Sequence, residues 1–134
     1  MQKINLPDKQ ATIDLAKKLA AEIEIGDVLA LYGELGSGKT FFTQHLCRFL
    51  GVNENVSSPS YVLMNEYQGK FNIAHLDFYR LGGIEEVLEL GLHDIFESGV
   101  TIIEWPEIGE EILPHHTRRL RFSFDGAERI VQIF

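Results

Sequence analysis

The stretch GELGSGKT, Gly33 to Thr40, satisfies G-x-x-x-x-G-K-[ST] at every fixed position. That spacing suits phosphate chemistry. Backbone N–H groups in a glycine-rich turn converge on phosphate oxygens, and the helix opened by the turn adds partial positive charge at its N-terminus. A lysine placed as Lys39 reaches the β- and γ-phosphates, and a hydroxyl placed as Thr40 coordinates Mg²⁺. Gly33, Gly36 and Gly38 allow positive φ or close backbone approach. The expected nucleotide contacts are therefore Gly33, Glu34, Leu35, Gly36, Ser37, Gly38, Lys39, Thr40 and Phe41, around a triphosphate with Mg²⁺.

A site of this kind needs an acid near the metal, usually at the end of a neighbouring strand. Two candidate strands end in one: NIAHLDFYR carries Asp77 and TIIEW carries Glu104. Asp77 is assigned to Mg²⁺ through water, and Glu104 to the attacking water or to the surroundings of the metal. The alternative for each is an ordinary solvated acid. His75 and Tyr79 share Asp77's strand face, where they either orient it by hydrogen bonds or pack. In SSPSYVLMNEY, Ser57, Ser58 and Ser60 set hydroxyls beside Pro59, which suits either a segment that closes on metal and γ-phosphate or a plain turn. His115-His116 has no further Cys or His at metal spacing, so a structural metal is not expected there.

Guanine recognition would call for N-K-x-D and a γ-phosphate sensor D-x-x-G; neither is present, which favours ATP. A small-molecule kinase would need an arginine-bearing lid. Of Arg48, Arg80, Arg118, Arg119, Arg121 and Arg129, only Arg80 adjoins a candidate site residue, and strand alternation sends Arg119 and Arg121 to solvent. Cys47 lacks electropositive neighbours and reads as packing.

The elements that must hold these residues are legible in outline. Thr12, Leu15, Ala16, Leu19, Ala20 and Ile23 make one helical stripe, with Asp8 as N-cap. DVLALYG reads as a buried strand entering the glycine loop, and KTFFTQHLCRFL as the helix leaving it, with Phe42, Leu46, Phe49 and Leu50 inward and Gly51 as the stop. SYVLMNEYQ and FNIAHLDFY form a hairpin around Gly69-Lys70. Ile84 to Leu90 is a short helix, and VTIIEW a further buried strand. Leu120, Phe122 and Phe124 alternate with Arg119, Arg121 and Ser123 ahead of an Asp125-Gly126 turn and a returning strand, RIVQIF. The expected architecture is α/β: a single-domain P-loop NTPase over residues 1–134. Its central, mostly parallel sheet is flanked by helices and margined by antiparallel strands, with a C-terminal β-hairpin.

Composition narrows the function classes. Apolar residues make up 45% of the 134, which excludes a disordered chain, and no run of some 20 of them could span a membrane. MQKINLPDKQ lacks the apolar core of a signal peptide, and a lone cysteine forms no intrachain disulfide, so a reducing cytoplasm is expected. Twelve Lys and Arg against twenty Asp and Glu leave a net charge of −8. A domain that gripped DNA or RNA by its own phosphate contacts would carry a basic face.

GELGSGKT, SSPSYVLMNEY, HLDFYRL and IEWPE, in this order and spacing, resemble the bacterial TsaE (YjeE-like) ATPases over nearly the whole chain. The resemblance implies a role in making N6-threonylcarbamoyladenosine in tRNA, together with TsaD and TsaB, while TsaC makes the threonylcarbamoyl-adenylate donor. It implies slow ATP hydrolysis that drives or resets the complex, with tRNA touched only through the partners. It also implies Lys39 and Thr40 on phosphate and Mg²⁺, Asp77 as the second metal acid, Glu104 as the acid needed for hydrolysis and Trp105 beside the nucleotide. One departure stands out. The family's S-P-T-[FY]-T reads Ser58-Pro59-Ser60-Tyr61-Val62 here, so Ser60 keeps a hydroxyl and Val62 does not. Two other readings stay open at this point: a small-molecule kinase, and a nucleotide-gated binding module without useful hydrolysis.

Overall fold

In the computed structural model, which describes residues 2–134, the apolar run Val28–Tyr32 becomes the central strand β2 of a seven-stranded sheet. The other strands are β1 (Gln2–Leu6), β3 (Met64–Gln68), β4 (Asn72–Asp77), β5 (Val100–Glu104), β6 (Arg118–Asp125) and β7 (Glu128–Ile133). Their order is β1-β7-β6-β2-β5-β4-β3. The middle strands β6, β2, β5 and β4 run parallel, and β1/β7, β6/β7 and β3/β4 pair antiparallel at the margins. A parallel centre needs both faces covered, which is why β2 is apolar without a polar face.

Those faces hold two cores. Leu29 and Leu31 point into one, with Leu15, Leu19, Phe42 and Leu46 from the helices α1 (Lys9–Ala20) and α2 (Lys39–Phe49). Val28, Ala30 and Tyr32 point into the other, closed by α3 (Ile84–Leu88), α4 (Leu92–Ser98) and the 3-10 segment Pro106–Ile112. Asp8 caps α1 as expected, its Oδ1 accepting from the Ala11 N–H at 2.9 Å; such caps contribute about 1 kcal/mol. At the other end of α2, Gly51 takes φ 89° and stops the helix.

The sheet and its margins follow the sequence expectation, with corrections at the element level. Ser60–Leu63 is a turn rather than strand, because the Pro59 carbonyl accepts from both the Val62 and Leu63 N–H groups. Phe49 is 41% exposed and Cys47 takes its inward place on α2. Arg119 does not run to solvent; its Nε donates to Glu110 Oε1 at 2.8 Å. Phe124, at the hairpin end of β6, is half exposed. Three elements escaped the sequence reading: β1, α4 and the 3-10 segment. All are seven residues or fewer, so tertiary packing rather than local propensity holds them.

Cys47 is fully buried, and desolvation pushes its thiol up to about 12. The thiolate is the nucleophile, so iodoacetamide at about pH 8 is expected to leave the folded chain unmodified and to alkylate it stoichiometrically in urea, read by mass spectrometry.

Candidate nucleotide and metal site

Three parallel strands end at one pole of the sheet, where open α/β folds place their ligands. β2 runs into the glycine loop, β4 ends at Asp77 and β5 ends at Glu104; the last two are register partners. The loop is shaped by positive φ at Gly33 (138°), Gly36 (80°) and Gly38 (111°). Gly33 has no room for a side chain: a Cβ there would lie 2.5 Å from the Phe122 carbonyl oxygen. No side chain caps the first turn of α2, so its N–H groups are presented to the site.

A cavity of about 430 Å³ collects Leu35, Gly36, Gly38, Lys39, Thr40, Phe41, Ser58, Ser60, Asp77, Glu104 and Trp105. Asp77 and Glu104 are both 3% exposed. Neither has a Lys or Arg partner within 4 Å among the described residues. Asp77 is held on both oxygens: Ser60 Oγ donates to Oδ2 at 2.9 Å and the Tyr79 N–H to Oδ1 at 2.8 Å. Ser58 Oγ lies 2.8 Å from Ser60 Oγ, which ties the serine segment to the acid. Glu104 Oε1 accepts from Thr40 Oγ1 at 3.4 Å.

The fully buried His75 lies 2.6 Å from Glu104 Oε2. A carboxylate only accepts, so His75 Nε2 donates. His75 therefore orients Glu104 and not Asp77, because β4 and β5 are adjacent and its ring spans the gap between them. Tyr79 lies past the end of β4, where its ring packs on Trp105 at 4.8 Å.

Lys39 Nζ donates to the Gly33 carbonyl at 2.5 Å and sits 3.7 Å from the centroid of Trp105. Burial holds its pKa below the ordinary lysine value, and the charges of Glu104, Asp77 and Glu107 oppose that shift. Trp105 reaches this place through a left-handed backbone, φ 53° and ψ 55°, where the chain leaves β5. For a non-glycine residue that costs of order 1–3 kcal/mol. Behind the loop, Tyr32 donates to Glu110, which also binds Arg119, and so fastens the end of β2 to the 3-10 segment. Desolvation and that bond to Glu110 raise the Tyr32 hydroxyl to about 12.

Some expected residues lie elsewhere. Gly33, Glu34 and Ser37 line a separate depression against β6, and the Ser37 N–H is used within the turn by the Glu34 carbonyl. Val62 is 64% exposed, so its missing hydroxyl leaves the Ser60 contact with Asp77 intact. Arg80 stacks on Tyr61 at 4.3 Å. The arginine that lines the cavity is Arg129, from β7, with Nη2 3.5 Å from the Gly36 carbonyl and Nε buried without a partner. It was missed because β7 reaches the loop only through the hairpin fold of β6 and β7, on the side opposite the two acids. Oxygen donors make up the rest of the set, with no group of three His, Cys, Asp or Glu able to cage a metal among the described residues. That set fits Mg²⁺, which keeps water and phosphate ligands.

A family model described as threonylcarbamoyl adenosine biosynthesis protein TsaE matches residues 6–131. The chain belongs to the TsaE family. TsaE of Rickettsia prowazekii is 39% identical over 110 residues, covering 81% of this chain and 76% of that one. TsaE of Synechocystis is 40% identical over 107 residues, 76% and 68% of the two chains. The crystal structure of YdiB from Bacillus subtilis superposes with a TM-score of 0.80 at 31% identity, covering 98% of this chain and 83% of YdiB. The resemblance to TsaE is thus shown, and with it the mixed α/β P-loop fold with a mostly parallel central sheet. No helix among the described residues is long and apolar enough to cross a membrane.

Proposed function

We propose that this TsaE protein binds ATP with Mg²⁺ and hydrolyses it slowly, in support of N6-threonylcarbamoyladenosine formation in tRNA with TsaB and TsaD. The observation that carries the reading is the pair of buried carboxylates, Asp77 and Glu104, facing the loop lysine and Thr40 in one cavity. Mg²⁺ would be held by Thr40 and Asp77, with Glu104 beside them, and would neutralise charge on the phosphates. The chain's own residues do the rest. The loop N–H groups and Lys39 hold the triphosphate, and Arg129 adds a cation from the opposite wall. Glu104, fixed by His75, accepts a proton from the attacking water. Ser60 couples the serine segment to the metal acid, which suits a segment that changes position with the γ-phosphate. The net charge of −8 supports leaving the grip on tRNA to the partners.

The test is complementation of a strain depleted of its own TsaE, reading modified adenosine in tRNA. Wild type is expected to restore the modification, and Lys39→Ala to fail while remaining folded. Full rescue by Lys39→Ala, or a purified chain that neither binds ATP nor associates with TsaB–TsaD, would overturn the proposal.

A further inference from the structure

A larger cavity, about 720 Å³, lies at the opposite pole of the sheet, where β2 and β5 begin. Its walls are mainly apolar, with Leu88 of α3, Phe96 of α4, Ile25 and Ile112; Asp27, Glu97 and the histidines His93 and His116 also line it, His93 Nε2 lying 3.3 Å from Glu97 Oε1. Two of these apolar side chains are held largely in water, Ile25 at 65% and Leu88 at 60% exposure. The five residues of β2, about 16 Å of strand, separate this place from the glycine loop, so the nucleotide site does not account for it.

The charge around it is one-sided. From Leu81 to Thr117 the chain has nine Asp and Glu and no Lys or Arg. Of these, Glu104, Glu107 and Glu110 face the glycine-loop end of the sheet, and the acids left on the groove side are those of α3, α4 and their connection. The exposed Glu85, Glu86, Glu89, Asp94 and Glu97 sit on or between the two helices. No Lys or Arg lines the cavity.

We propose that this groove docks a basic amphipathic helix of a partner protein. The acids around an apolar floor favour a ligand with an apolar stripe flanked by Lys or Arg. A second copy of the chain would bring like charges together, and nucleic acid would be repelled. An extended peptide finds no open sheet edge at the groove. The sheet edges are β1 and β3, the Gly26 N–H already donates to the Gly99 carbonyl at 2.8 Å, and the Gly26 carbonyl accepts from His116 Nε2 at 2.8 Å. The occupant must satisfy its own main chain, as a helix does. Its apolar residues at i, i+3, i+4 and i+7 fill the floor between Leu88 and Ile25, and its cations meet Glu97 and Asp27.

The probe is a fluorescein-labelled synthetic helix of about 16 residues, long enough to hold helical structure, with a leucine stripe flanked by lysines. A second peptide carries glutamates in place of the lysines. Fluorescence anisotropy is expected to give binding of the lysine peptide and at least about ten-fold weaker binding of the glutamate peptide. Leu88→Glu and Glu97→Lys are each expected to weaken the lysine peptide about ten-fold while ATP affinity stays within about two-fold. Equal binding of the two peptides would overturn the proposal, as would lysine-peptide binding unchanged in Leu88→Glu that melts with the wild type. Should Leu88→Glu not fold, the exposed Glu97→Lys decides by the same comparison.

Discussion

Replacing Glu104 by glutamine is expected to lower ATP turnover about 100-fold or more, the scale of a lost general base, with ATP affinity changed by no more than a few-fold. The substitution keeps the shape and leaves an oxygen for His75 Nε2, which lies 2.6 Å from the carboxylate. It removes the charge and the basicity. It also leaves in place the groups assigned to phosphate: Lys39, the loop backbone and Arg129. Phosphate release and calorimetric titration measured on the same preparation separate the two effects. If turnover is unchanged, Glu104 is not the hydrolytic acid. If turnover falls but modified adenosine in tRNA persists, nucleotide binding alone drives the partners, and the chain acts as a gated module.

Phe42→Ala is expected to lose about 3–5 kcal/mol of folding stability, a large part of the total for a domain of ordinary stability. Phe42 is fully buried on α2, three residues after Lys39, with its ring 5.5 Å from that of Phe122. The side chain locks α2 to β6, so its loss also loosens the helix N-terminus at the glycine loop. Urea unfolding measures the first effect and ATP affinity under folding conditions the second. Phe49→Ala is the control: that ring is 41% exposed and is expected to change stability by less than about 1 kcal/mol. Equal losses for the two would mean that Phe42 is not the anchor.

The contrast between these phenylalanines marks where sequence reasoning reached and where it stopped. Helical spacing put Phe42, Leu46, Phe49 and Leu50 on one stripe, but the buried face of α2 is centred on Thr43, Leu46, Cys47 and Leu50, which leaves Phe49 at its edge. Local motifs with fixed internal spacing were readable: the glycine loop, the strand-end acids, the Asp8 cap and the C-terminal hairpin. Contacts made across strands were not. His75 and Asp77 lie two apart on one strand and share its face, so their sequence relation suggested a partnership, whereas the sheet order brings His75 to Glu104 on β5. Arg129 is 93 residues from Gly36, and only the β6–β7 hairpin brings the two together. Trp105 was expected beside the nucleotide by resemblance alone; the left-handed turn that brings it against Lys39 has no local signature in the sequence.

That turn has a practical consequence. Trp105 is the only tryptophan of the chain, and its indole lies 3.7 Å beneath the ammonium group of Lys39. An indole's emission responds to a charge so close to its face, and a phosphate that engages the lysine alters that charge. The protein therefore carries a single, native optical reporter on its own phosphate loop, so titrations of nucleotide, metal and partner can be followed without any label.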